Sequence, residues 1–433
     1  MNRRTFLSQS SMGALSISSL TPWAALTSKD KIKALSPILN DEPKKILFLG
    51  DSITQAGDYI NFFECQLRIA QPETSFEVLN LGLGSETISG LSEENHPYPR
   101  PYLHNRLDKV LDYIQPDLIF ACYGINCGIY HPLNNDRFEA YQEGIVKLME
   151  KASQIKAELI LLTPPPYAAP VQDWDKARED QQRNDYSYAK PYAAYDDVMR
   201  SYAEWVMSIQ EVQTIDIQTP MRRFKDICYG KDVIHPNQLG HQLMALTIIA
   251  DYKNIKPEIQ DQHWKWSAAE EMNKKDLEKA ATTKTFTTQS PEINHTVLSA
   301  DDDYNQLIDQ AYSFKSHMTD CPEATYQFYN ENIYVGQFNS QQLAQGINFG
   351  PLSDELQYQH LSFAKKAHQL YELIAAKRQI YDYALLQHIG HQRPMNREGI
   401  PITIAEEKKK ALEAEMYKRL ESSVWELEVI QLP

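Results

Sequence analysis

Between about residue 45 and residue 252, short apolar runs alternate with segments whose apolar positions recur at three and four. The runs Lys45 to Gly50, Phe76 to Leu81, Leu118 to Tyr123, Glu158 to Thr163 and Val212 to Ile217 read as buried strands. The stretches 58–71, 103–114, 136–154 and 191–209 carry helical spacing, as in Tyr195, Val198, Met199, Tyr202 and Val206. Strands that alternate with helices pair in parallel through right-handed crossovers, with helices on both faces. The chain is therefore expected to form an α/β three-layer sandwich, with a five-stranded parallel sheet in flavodoxin-like order. A last helix follows Pro236, a residue tolerated at a first helical position, and runs through Leu243, Leu246 and Ile249.

In an open sheet of this kind, ligands collect in the crevice outside the carboxyl ends of the strands. Four segments fall there. Gly50-Asp51-Ser52 ends the first run and places a hydroxyl at the crevice. Asn80-Leu81-Gly82-Leu83-Gly84-Ser85-Glu86-Thr87 follows the second, with glycines that let backbone N–H groups turn toward a ligand. Tyr123-Gly124-Ile125-Asn126 follows the third and offers a side-chain amide. Asp232-Val233-Ile234-His235-Pro236 precedes the last helix and joins an acid to an imidazole. A serine needs a base to take its proton as it attacks a carbonyl carbon. His235 suits that exchange, Asp232 can fix its tautomer, and backbone or amide donors can hold the oxyanion. Ser52 alone reads equally as a helix cap; the joint occurrence of four such segments points to chemistry.

These four segments resemble the blocks of the SGNH/GDSL hydrolase superfamily over residues 42–255. The resemblance implies Ser52 as nucleophile, Asp232 and His235 as acid and base, and an oxyanion hole from Ser52, Ser85 and Asn126. Two positions depart from the family pattern: Ser85 stands where the second glycine of the second block is usual, and Cys127 where an aspartate often follows the asparagine. The stretch Leu91 to Arg106, the run Thr163-Pro164-Pro165-Pro166 and the connection Gly390-His391-Gln392-Arg393-Pro394 resemble a multidomain group of exported bacterial SGNH proteins. Members of that group are often taken to be esterases of decorated polysaccharides. Gly84, Arg100 and His131 are expected on the substrate rim.

Outside that segment the reading is coarser. Residues 1–27 carry Arg3-Arg4 before a weakly apolar, Ser-rich stretch, which reads as a twin-arginine export signal, so a periplasmic or extracellular location is expected. Residues 256–350 read as a linker with a small β-hairpin, in which 325–329 and 333–336 flank Asn330-Glu331-Asn332. Residues 351–433 read as a helical hairpin, from about Asp354 to His388 and from Ile404 to Leu427, whose connection holds His391, Arg393 and Arg397. These helices are possible surfaces for self-association. The long polar segment from Tyr167 to Lys190 exceeds what a crossover needs, and suits a binding loop.

A net charge of -15 disfavours nucleic acid and anionic membrane surfaces. The five cysteines are scattered and show no metal-ligand spacing. No His-x-x-x-His or paired-carboxylate pattern supports a metal, so neither metal nor cofactor is expected. The expected function is a secreted serine esterase acting on acyl, above all acetyl, esters of carbohydrates. Two alternatives stay open: a catalytically weak glycan-binding or scaffolding protein of the same fold, and a lipase or lysophospholipase-type esterase.

Overall fold

The computed structural model describes residues 44–70, 74–169, 185–251, 262–265, 270–271, 282–289, 301, 303–304, 315–330, 332–348, 362–394, 399–420 and 424–432. Residues 1–27, expected to be an export signal, and residues 170–184 of the long polar segment, with Trp174, lie outside the described residues.

The central sheet consists of β1 (Lys44–Gly50), β2 (Phe76–Asn80), β3 (Leu118–Cys122), β4 (Glu158–Leu162) and β5 (Gln213–Ile215), all parallel, in the order β2-β1-β3-β4-β5. This is the expected flavodoxin-like order. Leu118 to Cys122 is buried throughout, as a strand covered on both faces by helices must be. Phe48 lies stacked on Phe120 with centroids 4.8 Å apart and meets Tyr59 and Phe63 edge-on, locking β1 to β3 and to the helix Asp58–Ala70. The final helix of this region starts at Gln238, two residues after Pro236, and runs to Asp251.

The C-terminal part has the expected long helices and adds strands beyond the single β-hairpin expected there. The strands β6 (Gln262–Lys265), β7 (Glu270–Glu271), β8 (Thr282–Gln289), β9 (Lys315–Thr319), β10 (Thr325–Asn330), β11 (Ile333–Asn339), β12 (Ile347–Asn348) and β13 (Val424–Gln431) build two further sheets, ordered β11-β10-β13-β8-β7 and β12-β9-β6. The hairpin at Asn330 is present, with Asn330 opposite Ile333. The second long helix, expected to reach Leu427, stops at Leu420, and β13 then pairs along β8 and β10. Its residues Leu427 and Val429 are buried beside Tyr326 and Phe328, a period-two pattern that a charge-rich preceding helix obscured.

The helices Ser362–Lys377 and Ile402–Leu420 do not stand apart. Leu370, Ile374 and Met416 share an apolar core with Cys65 and Ile69 of the helix Asp58–Ala70. Between Ser362–Lys377 and Tyr383–Ile389, residues Arg378–Asp382 form a π-helical turn. That turn faces a buried polar cluster: Lys377 and Arg378 donate to Glu64, Arg378 also to Asn61 at 2.6 Å, and Asp382 accepts from the Asn80 N–H at 3.1 Å. Glu64 is fully buried, yet three cations, Lys377, Arg68 and Arg378, outweigh the burial and hold its carboxyl down at about 2. Among the described residues no helix is long and apolar enough to cross a membrane.

Candidate active site

Ser52 opens the short helix Ser52–Ala56 directly after β1. The turn is tight: a Cβ on Gly50 would lie 2.1 Å from Thr54 Oγ1 and 2.8 Å from the Cys122 carbonyl, so only glycine fits. Asp51 caps the helix by accepting from the Ile53 N–H at 3.0 Å. Burial pushes the Asp51 carboxyl up to about 7, against the opposing pull of that bond and of His235.

His235 is brought to the hydroxyl by the loop before the helix Gln238–Asp251. Its Nε2 lies 2.8 Å from Ser52 Oγ, and its Nδ1 lies 2.7 Å from Asp232 Oδ2. The other Asp232 oxygen accepts from the N–H groups of Ile234 and His235 at 2.9 and 3.0 Å. Partial burial alone would raise the Asp232 carboxyl, but these bonds and the imidazole hold it below the usual range. The acid stays ionised at neutral pH, and with it the orientation of the ring is set. The loop itself is tied down by the Ala168 N–H on the Val233 carbonyl and by Tyr229 on the Pro166 carbonyl.

The second segment is braced at several atoms. Asn80 donates to the Thr54 carbonyl at 2.6 Å and accepts from the Gly82 N–H at 2.9 Å. Ser85 adopts a φ of 65°, the left-handed conformation that glycine takes most easily. This explains how serine stands in for the usual glycine: the backbone keeps the glycine-like turn. Beneath it, Glu86 forms a buried two-point pair with Arg106 at 2.7 Å and accepts from Tyr123. Asn126 donates through Nδ2 to the Glu86 carbonyl at 3.3 Å, while its Oδ1 accepts from Tyr130 at 3.0 Å. The amide is thereby oriented with its NH2 toward the loop that carries Ser85.

Three expected rim residues sit differently from one another. Gly84 lies at the crevice, but its N–H is taken by Gln55 Oε1 at 3.0 Å. Arg100 is a correction: it is 5% exposed, forms a buried two-point pair with Glu93, donates to the Ser85 carbonyl at 3.3 Å and lies over the Tyr130 ring. It supports the loop rather than meeting solvent. His131 is half-buried and meets Tyr186 edge-on, and burial lowers its pKa. Cys127 does not face the crevice. It is fully buried, and burial pushes its thiol up to about 12.

Three further residues meet at the site: Arg393 and Tyr98 lie in stretches the sequence singles out without placing them here, and Gln55 lies in none. Tyr98 reaches Ser85 Oγ at 3.4 Å, and Arg393 donates to the Tyr98 hydroxyl at 3.0 Å and to Gln55 Oε1 at 3.1 Å. Burial would raise the Tyr98 hydroxyl, but the bonds from Ser85 and Arg393 bring it below its ordinary value. Only the position of Gln55, one helical turn past Ser52, could have suggested it. Among the described residues no group of three or more His, Cys, Asp or Glu side chains is arranged to hold a metal.

Residues 48–243 match the model of the GDSL-like lipase/acylhydrolase family. No curated protein matches the chain. Among solved structures, a gut microbial diltiazem-metabolizing enzyme superposes with a TM-score of 0.60 at 15% identity, covering 91% of this chain and 99% of its own, which establishes a shared fold. An acetylxylan esterase from Geobacillus stearothermophilus gives a TM-score of 0.35 at 20% identity over 48% of this chain and 94% of its own. Residues 48–243, with their parallel sheet and their serine at the first strand end, thus match the GDSL-like lipase/acylhydrolase family, and the protein is a carboxylic ester hydrolase with an SGNH-type α/β fold.

Proposed function

We propose that the protein is an exported serine esterase that removes acetyl groups from a carbohydrate through an acyl-enzyme on Ser52. The observation that carries this reading is the unbroken hydrogen-bond chain from Ser52 Oγ through His235 to Asp232. Ser52 Oγ attacks the ester carbonyl and its proton passes to His235 Nε2. The negative charge on the carbonyl oxygen is taken by the N–H groups of Ser52 and Ser85 and by Asn126 Nδ2. Collapse expels the alcohol, which receives the proton from His235, and leaves acetyl on Ser52. Water, deprotonated by the same imidazole, then releases acetate and restores the serine.

A polar sugar alcohol is supported by the rim, where Gln55, Tyr98 and Arg393 offer hydrogen bonds and His96 and Tyr188 offer ring surfaces. Export is supported by Arg3-Arg4 and the Ser-rich stretch behind it. The test is a fluorophosphonate probe followed by acetylated oligosaccharides. Covalent labelling at Ser52 and acetate release that Ser52→Ala abolishes are expected. An intact protein that the probe does not label would overturn the esterase mechanism, and labelling with no acetate released from any sugar would overturn the substrate.

A further inference from the structure

Three arginines flank the loop from Asn80 to Ser85, and their partners differ. Arg100 is paired with Glu93 and Arg106 with Glu86, each carboxylate buried with its cation. Arg393 makes no ion pair among the described residues; the partners it has are the neutral Tyr98 and Gln55. It comes from the far end of the chain, 295 residues past Tyr98 and 338 past Gln55. Its guanidinium lies so close to the loop that a Cβ on Gly84 would be 2.5 Å from Nη1. Gly84 precedes Ser85, and Gln55 lies one turn beyond Ser52. The cation therefore stands beside the proposed oxyanion donors, half-buried and with no counter-charge among the described residues.

Docking of the connection does not require that charge. Gln392 is already held by Asn105 at 2.9 Å, and a neutral donor would serve Tyr98 and Gln55 equally well. A partly desolvated cation gains most from an anion, and guanidinium matches a carboxylate in geometry as well as sign. In a chain of net charge -15, an anionic substrate is repelled at long range, so a local cation is what allows one to bind.

We propose that Arg393, carried in by the C-terminal region, is a specificity residue for esters whose alcohol portion bears a carboxylate, such as an acetylated acidic sugar. The proposal rests on the esterase reading and sharpens its substrate class. The acetyl group carries no charge, so the anion belongs to the alcohol side.

Steady-state kinetics on the full chain with 4-acetoxybenzoate and its neutral isostere 4-acetoxybenzamide test this. The wild type should favour the carboxylate ester in kcat/KM by about tenfold or more, expressed chiefly in KM, as a charge-assisted contact predicts. Arg393→Gln should erase the preference, and Arg393→Lys should keep part of it. Equal handling of both esters by the wild type, or an Arg393→Gln loss that falls alike on both, would overturn the assignment while leaving the esterase reading in place. Turnover of neither ester, with no fluorophosphonate labelling of Ser52, would overturn both.

Discussion

His235 Nε2 stands 2.8 Å from Ser52 Oγ across 183 residues of sequence, and among the described residues no other imidazole bonds that hydroxyl. Ser52→Ala should therefore lower kcat for 4-nitrophenyl acetate by at least about 10³-fold, while leaving the melting temperature within a degree or two. Asp232→Asn should cost on the order of 10²-fold, short of the roughly 10⁴ seen for a buried triad acid. The reason is exposure: the Asp232 side chain is 57% accessible, so water replaces part of its field. A comparison of kcat for the two variants checks the ordering.

Asn126 contributes only where negative charge develops. Asn126→Ala should lower kcat by about 10²–10³-fold with little change in KM. Tyr130→Phe removes the bond that orients the amide and should show a smaller loss of the same kind. A loss seen mainly in KM would point to substrate binding instead.

Asp51 makes stability depend on pH. Its carboxyl titrates near 7 in the fold against 3.8 for an ordinary aspartate, so the folded state holds its proton longer than the unfolded state. Stability is fully present below pH 3.8 and declines as pH rises through about 7, by an amount on the order of 4 kcal/mol from this group. Asp51→Asn keeps the acceptor for the Ile53 N–H and removes the charge. Denaturant titrations between pH 4 and 8 should show a flatter profile and greater stability at pH 8 for the variant.

Lys377 and Glu64 couple the two halves of the chain inside the fold. Lys377→Met leaves Glu64 with Arg68 and Arg378 alone, and should destabilise by about 3 kcal/mol, the lower end for breaking a buried pair. Truncation after residue 255 removes both Lys377 and Arg378, and should prevent recovery of folded, active protein. A stable, active 1–255 fragment would contradict this.

The thiols should be silent. Cys65, Cys122, Cys127 and Cys228 are buried, and the half-buried Cys321 is pushed up to about 11 by burial and Asp320. Native protein should react slowly with Ellman's reagent at neutral pH and at no more than Cys321, with activity retained; rapid inactivation would show an exposed thiol near the site.

The parallel sheet and its order were legible because periods of two and of 3.6 are local properties of a sequence. The same holds for Ser52, Asn126, Asp232 and His235, each fixed to a strand end or helix start. Arg100 was misplaced because nothing in the order Pro-Arg-Pro reveals that Glu93 folds back to meet it. β13 was read as helix because the Glu- and Lys-rich stretch before it continues a helical spacing, while its pairing partners lie in distant strands. The association of Gln55, Tyr98 and Arg393 was hidden for a similar reason: it depends on where three remote segments touch. Long-range polar contacts leave no periodic trace.

The π-helical turn at Arg378–Asp382 sets angular register. A π turn accommodates an additional residue, and each residue of an α-helix advances about 100°. Wound as a regular α-helix with every residue kept, Lys377 and Asp382, five positions apart, would point more than a quarter of a revolution away from each other. Lys377 could then no longer aim at Glu64 while Asp382 aims at Asn80. The irregular turn is thus a phase adjuster, which lets two residues five positions apart serve one buried cluster.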